Sequence, residues 1–354
     1  MRIRWVLTVA VAVAALAGAS AVVVAQKVDR QTRREQERRS QQEQRDLQAL
    51  VQMVDAVTAG KQPAPADIGL RWEGNHFLKS TDQLTYIPFT VAIDATKLAA
   101  PGTALYVRVV NKPAAATPAP AAEQGNRGRD QKSAPVVYPW DNVYFVDVPP
   151  DGKVSRAIAV KPGEYEVLVA VKEKSPREPQ RNQLPAKAGL LRRDLTVPDF
   201  NGPELSISSV FIGAVEQQLA PLTTEQQQEN PYTFGNMRVV PSTDFKLKKS
   251  GELQVLFWIY GTQQASGKPD VQIDFNFHLK TADGEKYFNK TAPQLLNAST
   301  LPPQFDVAAG HQLPGSLIVP LVSFPVGDYR LEMKLTDKVS GKTLTYNASF
   351  TVEA

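Results

Sequence analysis

Two stretches of the chain repeat each other: Lys161-Pro-Gly-Glu-Tyr-Glu-Val-Leu-Val-Ala-Val-Lys-Glu-Lys174 and Pro325-Val-Gly-Asp-Tyr-Arg-Leu-Glu-Met-Lys-Leu-Thr-Asp-Lys338. In each, a Gly-acid-Tyr turn opens a run of alternating apolar residues. Glycine permits the turn. The alternation puts Tyr329, Leu331, Met333 and Leu335 on one face of a strand and Arg330, Glu332 and Lys334 on the other. A tyrosine that opens a strand can donate its hydroxyl to backbone a few residues upstream, the tyrosine corner that closes a Greek-key sandwich. Tyr165 and Tyr329 therefore read as structural tyrosine corners, each followed by a last strand, 191–197 and 344–352. The spacing between them is about one sandwich with its insertions.

Outward from the repeat, period-two runs recur at 84–93, 104–110, 143–148 and 154–160, bounded by Pro, Gly and Asp. No helical pattern separates them, which argues against a parallel α/β sheet and for antiparallel sandwiches. Pro88 inside 84–93 points to an edge strand or a bulge there. The fold class expected is all-β: two tandem antiparallel, immunoglobulin-like β-sandwiches behind an N-terminal signal or anchor helix and a polar helical spacer. The expected units are 1–25, signal peptide or signal anchor; 26–65, spacer; 66–199, first sandwich with a disordered insertion at 112–135; and 200–354, second sandwich. The insertion is rich in Ala, Pro and polar residues and cannot bury enough apolar surface to order itself.

The chain has 354 residues, enough for about two domains. Lys plus Arg number 40 against 36 Asp plus Glu, a net +4 that is too small and dispersed for a nucleic-acid partner. Cysteine is absent and His number 3, which excludes disulfides and thiol chemistry and disfavours a His-rich metal site. Arg2 and Arg4 precede an apolar and small-residue run at 6–25, the marks of an export signal. That run is also long enough to span a bilayer, so an uncleaved inner-membrane tether through 6–25 is the alternative to cleavage. The expected location is therefore periplasmic or secreted. In the spacer, Leu47, Leu50, Val51, Val54 and Val57 form a helical stripe that Gly60 and Pro63 terminate. It is expected to pack on the next domain; a homotypic coiled coil is the alternative, though the stripe covers fewer than two heptads.

The exported N-terminus and the two Gly-acid-Tyr ends resemble tandem immunoglobulin-like or fibronectin-like modules of uncharacterised bacterial exported proteins. Phe77-Leu-Lys-Ser80, Tyr86-Ile-Pro-Phe-Thr-Val91 and the segment 234–241 share that similarity, which extends over most of residues 66–354. These are turn and core motifs. The resemblance implies a β-sandwich architecture and carries no catalytic set over to this chain.

Enzyme signatures are missing. There is no phosphate loop, no dinucleotide fingerprint, no His-Glu-x-x-His and no Gly-x-Ser-x-Gly. A catalytic carboxylate pair stays open, since such pairs are set by space rather than sequence. No cofactor and no metal are expected. One surface stands out. Residues 252–260 and 271–279 both alternate, and as a hairpin they would share an outer face carrying Leu256, Trp258, Tyr260, Asp274, Asn276 and His278. Aromatic planes beside carboxylate and amide groups suit sugar rings or a protein partner. The competing expectation is that the Gln-rich segment 213–230, or the first sandwich, covers Trp258. Two functions follow: a non-catalytic envelope interaction or scaffold protein with an envelope-protein partner, or a glycan-binding or glycan-active sandwich. Burial of Trp258 between domains favours the first, and an exposed face the second.

Overall fold

The computed structural model describes residues 36–112, 137–175, 185–217, 220, 222–307 and 309–354. The expected signal or anchor segment, the start of the spacer and the insertion after Lys112 lie outside the described residues. Among the described residues, no helix is long and apolar enough to cross a membrane.

A helix, α1, spans 36–58, and Gly60 beyond it sits at φ 68°. The first sandwich is built from β1 (Leu70–Asn75), β2 (Leu78–Lys79), β3 (Thr85–Ile93), β4 (Gly102–Asn111), β5 (Trp140–Asp147), β6 (Lys153–Val160), β7 (Gly163–Glu173) and β8 (Ala188–Val197). β3 pairs with β1 and β2 along one side and with β6 along the other, and the facing sheet runs β5-β4-β7-β8. Pro88 is thus inside a central strand, not on an edge. Its carbonyl accepts from His76 N at 3.0 Å, in the gap where β1 ends and β2 begins. In an extended strand the missing N–H of Pro88 lies on the same side as that carbonyl, so the ladder from β3 to β6 loses no bond.

The second sandwich comprises β9 (Ser206–Ile207), β10 (Phe211–Gln217), α2 (Thr224–Glu229), β11 (Thr233–Phe234), β12 (Met237–Pro241), β13 (Lys246–Lys248), β14 (Glu252–Tyr260), β15 (Gln264–Ala265), β16 (Lys268–Pro269), β17 (Val271–Thr281), β18 (Gly284–Lys290), β19 (Gln294–Leu296), β20 (Leu313–Pro320), β21 (Gly327–Asp337) and β22 (Thr343–Glu353). One sheet runs β11-β12-β10-β14-β20, and the other β13-β22-β21-β17-β18. The plan repeats: β14 and β20 stand where β3 and β6 stand, and β18-β17-β21-β22 reproduces β5-β4-β7-β8. The two glycines that open the repeated strands match as well, with φ 153° at Gly163 and 152° at Gly327, values that L side chains avoid.

Each sandwich has its own core. Ile87, Phe89, Val91, Val107, Val169 and neighbours fill the first. Val255, Phe257, Phe275, Phe277, Leu331, Met333 and neighbours fill the second. The stripe of α1 lies on the outer face of the β5-β4-β7-β8 sheet, where Leu50 and Val54 meet Ala104, Tyr106, Leu168 and Ala170, all 0–1% exposed. Polar anchors fix it there. The carboxylate of Asp46, 1% exposed, accepts from Lys172 Nζ at 2.6 Å and from Ser175. Arg108, 3% exposed, pairs with Asp55 and donates to Tyr106 Oη at 2.8 Å.

Candidate functional site

β14 and β17 do not form a hairpin. They lie in opposite sheets, so the six residues expected on one face are divided. Leu253, Val255, Phe257 and Ile259 face Val271, Ile273, Phe275 and Phe277 across the core. The complementary sets must then point away from each other. Asp274, Asn276 and His278 fall on the outer face of the β17 sheet, among polar partners: Asn276 Nδ2 donates to Glu332 Oε1 at 3.2 Å, and Gln272 Nε2 donates to Asp274 at 3.0 Å. His278 meets the edge of Tyr287 with ring centres 5.9 Å apart.

Leu256, Trp258 and Tyr260 are buried, at 3%, 6% and 5% exposure. They sit in a third apolar cluster with Leu78, Phe200, Phe211, Tyr232 and Val239, where the two sandwiches meet. Trp258 packs edge-on against Phe234 and Phe211, with ring centres at 4.9 and 6.0 Å. Hydrogen bonds cross the joint beside it. Lys79 N donates to Tyr260 Oη at 3.1 Å, Phe77 N to Ser209 Oγ at 2.8 Å, Ser209 N to Phe77 O at 2.9 Å, and Tyr86 Oη to Pro231 O at 2.9 Å. Burial raises the hydroxyl pKa values of Tyr86 and Tyr260, and that of Tyr232 to about 12. All three hydroxyls stay protonated at neutral pH. The first sandwich contributes Phe77, Leu78 and Tyr86 to the cluster around Trp258; of the described residues of the segment 213–230 only Val215 joins it, and the rings packed on Trp258, Phe211 and Phe234, lie outside that segment.

Tyr165 Oη donates to Lys161 O at 2.8 Å and Tyr329 Oη to Pro325 O at 2.7 Å, each four residues upstream. Both rings are buried, at 4% and 0% exposure. Their surroundings are structural.

A concave site that the sequence reading did not single out lies beside the joint. A cleft of about 380 Å³ is lined by Tyr86, Trp140, Asn142, Tyr144, Gln227 and Gln228, among others. Trp140, Asn142 and Tyr144 occupy alternate positions of β5, so they share one side of that strand. Arg156, 7% exposed, holds its guanidinium carbon 5.1 Å from the Tyr144 ring centre. On the opposite wall, α2 begins in a capping box: Thr223 N donates to Gln226 Oε1 at 2.9 Å and Gln226 N to Thr223 Oγ1 at 3.3 Å. That fixes the start of the turn presenting Gln227 and Gln228. Burial raises the Tyr144 hydroxyl, with Asn142 and Trp140 acting in the opposite sense. Trp140 Nε1 is shielded from water beside the Tyr144 hydroxyl. Among the described residues, no group of three or more His, Asp or Glu is placed to hold a metal ion.

No protein-family model matches the chain, and no curated protein does. Among solved structures, trypsin-activated alpha-2-macroglobulin from Escherichia coli aligns at 11% identity and TM-score 0.22, over 82% of this chain and 17% of that one. A Salmonella alpha-2-macroglobulin mutant aligns at 10% identity and TM-score 0.21, over 80% of this chain and 16% of that one. The chain thus spans less than a fifth of the length of either structure. Likeness at this level says nothing about activity or partners.

Proposed function

We propose that this chain is an exported, non-catalytic interaction or scaffold protein of the bacterial cell envelope, acting through the surfaces of two joined β-sandwiches. The observation that carries the reading is the burial of Leu256, Trp258 and Tyr260 between the sandwiches. An aromatic strand face is spent on joining two modules rather than on receiving a ligand. An apolar, hydrogen-bonded joint resists the independent domain motion expected of sandwiches on a simple linker. A fixed pair presents one extended surface, which suits a scaffold. Arg2, Arg4 and the apolar run at 6–25 support export, by cleavage or as an inner-membrane tether. The test is fractionation of the tagged full chain, mass spectrometry of its N-terminus, and cross-linking in intact cells. Partners cross-linked from the envelope fraction are the expected result. Intact precursor in the cytosol, or turnover of an envelope polymer by the purified chain, overturns the proposal.

A further inference from the structure

We propose that the cleft between β5 and α2 binds a neutral saccharide. This goes beyond the scaffold reading, and its test does not depend on export or on any protein partner.

The first argument is composition. Tyr86, Trp140 and Tyr144 supply aromatic faces, while Asn142, Gln227 and Gln228 supply amides. A pyranose ring has an apolar C–H face that stacks on an aromatic plane and a rim of hydroxyls that both donate and accept. A side-chain amide also does both and is uncharged. Among the described residues, no acidic or basic side chain lines the cleft, which disfavours a charged ligand.

The second argument is construction. The walls come from different modules and each is held in place: β5 by its ladder to β4, α2 by its capping box, and Tyr86 by its bond to Pro231 O. Tyr144 is oriented by the Arg156 guanidinium. A volume of about 380 Å³ falls within the range of small-ligand sites and fits a short oligosaccharide. A proline-rich peptide also favours aromatic grooves, but it needs an open, extended track. Here α2 closes one side.

The experiment titrates the purified full chain with N-acetylglucosamine tetrasaccharide, cellotetraose and maltotetraose, following tryptophan fluorescence and heat. A decaproline peptide and a polygalacturonate fragment serve as controls. Saturable binding of at least one neutral tetrasaccharide is expected, weakened about tenfold or more by Gln227→Ala and abolished by Trp140→Ala. Gln227 is exposed on a short helix, so its substitution keeps the test valid if Trp140→Ala fails to fold. No saturable binding of any neutral tetrasaccharide, binding indifferent to Gln227→Ala, or binding only of decaproline or polygalacturonate overturns the proposal.

Discussion

Acidification loosens the joint between the sandwiches, and His76 is the group through which it acts. The imidazole lies at the β1–β2 turn of the first sandwich but stacks on Phe211 of the second, with ring centres 4.2 Å apart and planes 14° from parallel. The edge of Tyr232 closes on it at 5.5 Å, and Nδ1 is shielded from water without a partner among the described residues. Burial lowers its pKa from 6.5 to about 4. In the unfolded chain His76 takes up a proton near pH 6.5, whereas in the folded chain it does not until about pH 4. Its stabilising contribution is therefore complete above pH 6.5 and drains away as pH falls toward 4, by about 3 kcal/mol in all. Glu332 and Asp337 are also held low, but from reference values of 4.5 and 3.8, so their contributions fade only in more acidic solution. Urea unfolding followed by tryptophan fluorescence should show a loss of about 2 kcal/mol between pH 7 and pH 5. The variant His76→Phe keeps the stack and removes the titration, and its stability should be flat over that interval. Equal slopes in the two proteins would refute the reasoning.

Trp258→Ala removes the centre of the joint and should cost about 3–5 kcal/mol by urea denaturation, in keeping with large aromatic-to-alanine changes in cores; a loss under 1 kcal/mol would mean the joint is incidental. Tyr329→Phe should cost about 1 kcal/mol, and calorimetry should show the second sandwich affected more than the first. Asp46→Ala strips Lys172 of its carboxylate partner at a site where Asp46 is 1% exposed. Loss of one partner from a buried pair costs about 3–5 kcal/mol, and limited proteolysis should then cut within 36–58 earlier than in the wild type.

The strands were legible because each carries its own period-two signal, and the repeated Gly-acid-Tyr turn marked the same corner twice. The helix at 36–58 was legible in its apolar stripe, and the short stripe already favoured packing over a coiled coil. That β14 and β17 lie in opposite sheets was not legible from alternation. Two strands whose apolar sets both point into one core give the same pattern whether they are neighbours in a sheet or face each other across a sandwich. Only the second arrangement sends Trp258 and Asn276 to opposite outer faces. The discriminating signal was the connection, 261–270, which is long for a tight hairpin and carries its own small pairing, Gln264–Ala265 with Lys268–Pro269. The cleft escaped notice for another reason. Trp140, Asn142 and Tyr144 alternate in the sequence, but their opposite wall lies in α2, about eighty residues on, and the joint that unites them depends on Trp258 and Phe211.

The joint and the cleft are consequently one structural problem. Tyr86 lines the cleft and also bonds Pro231 across the joint. Gln227 lines the cleft and also the groove of about 500 Å³ that runs past Phe234 and Trp258. A ligand touching both β5 and α2 gains its full set of contacts only while the sandwiches are docked. Whatever weakens docking must weaken binding by the same free energy, and whatever binds must strengthen docking. The neutral imidazole of His76, stacked in the apolar cluster, thus bears on a site it does not touch. In a scaffold this arrangement makes the relative orientation of the two sandwiches, rather than any single side chain, the property through which a ligand is felt.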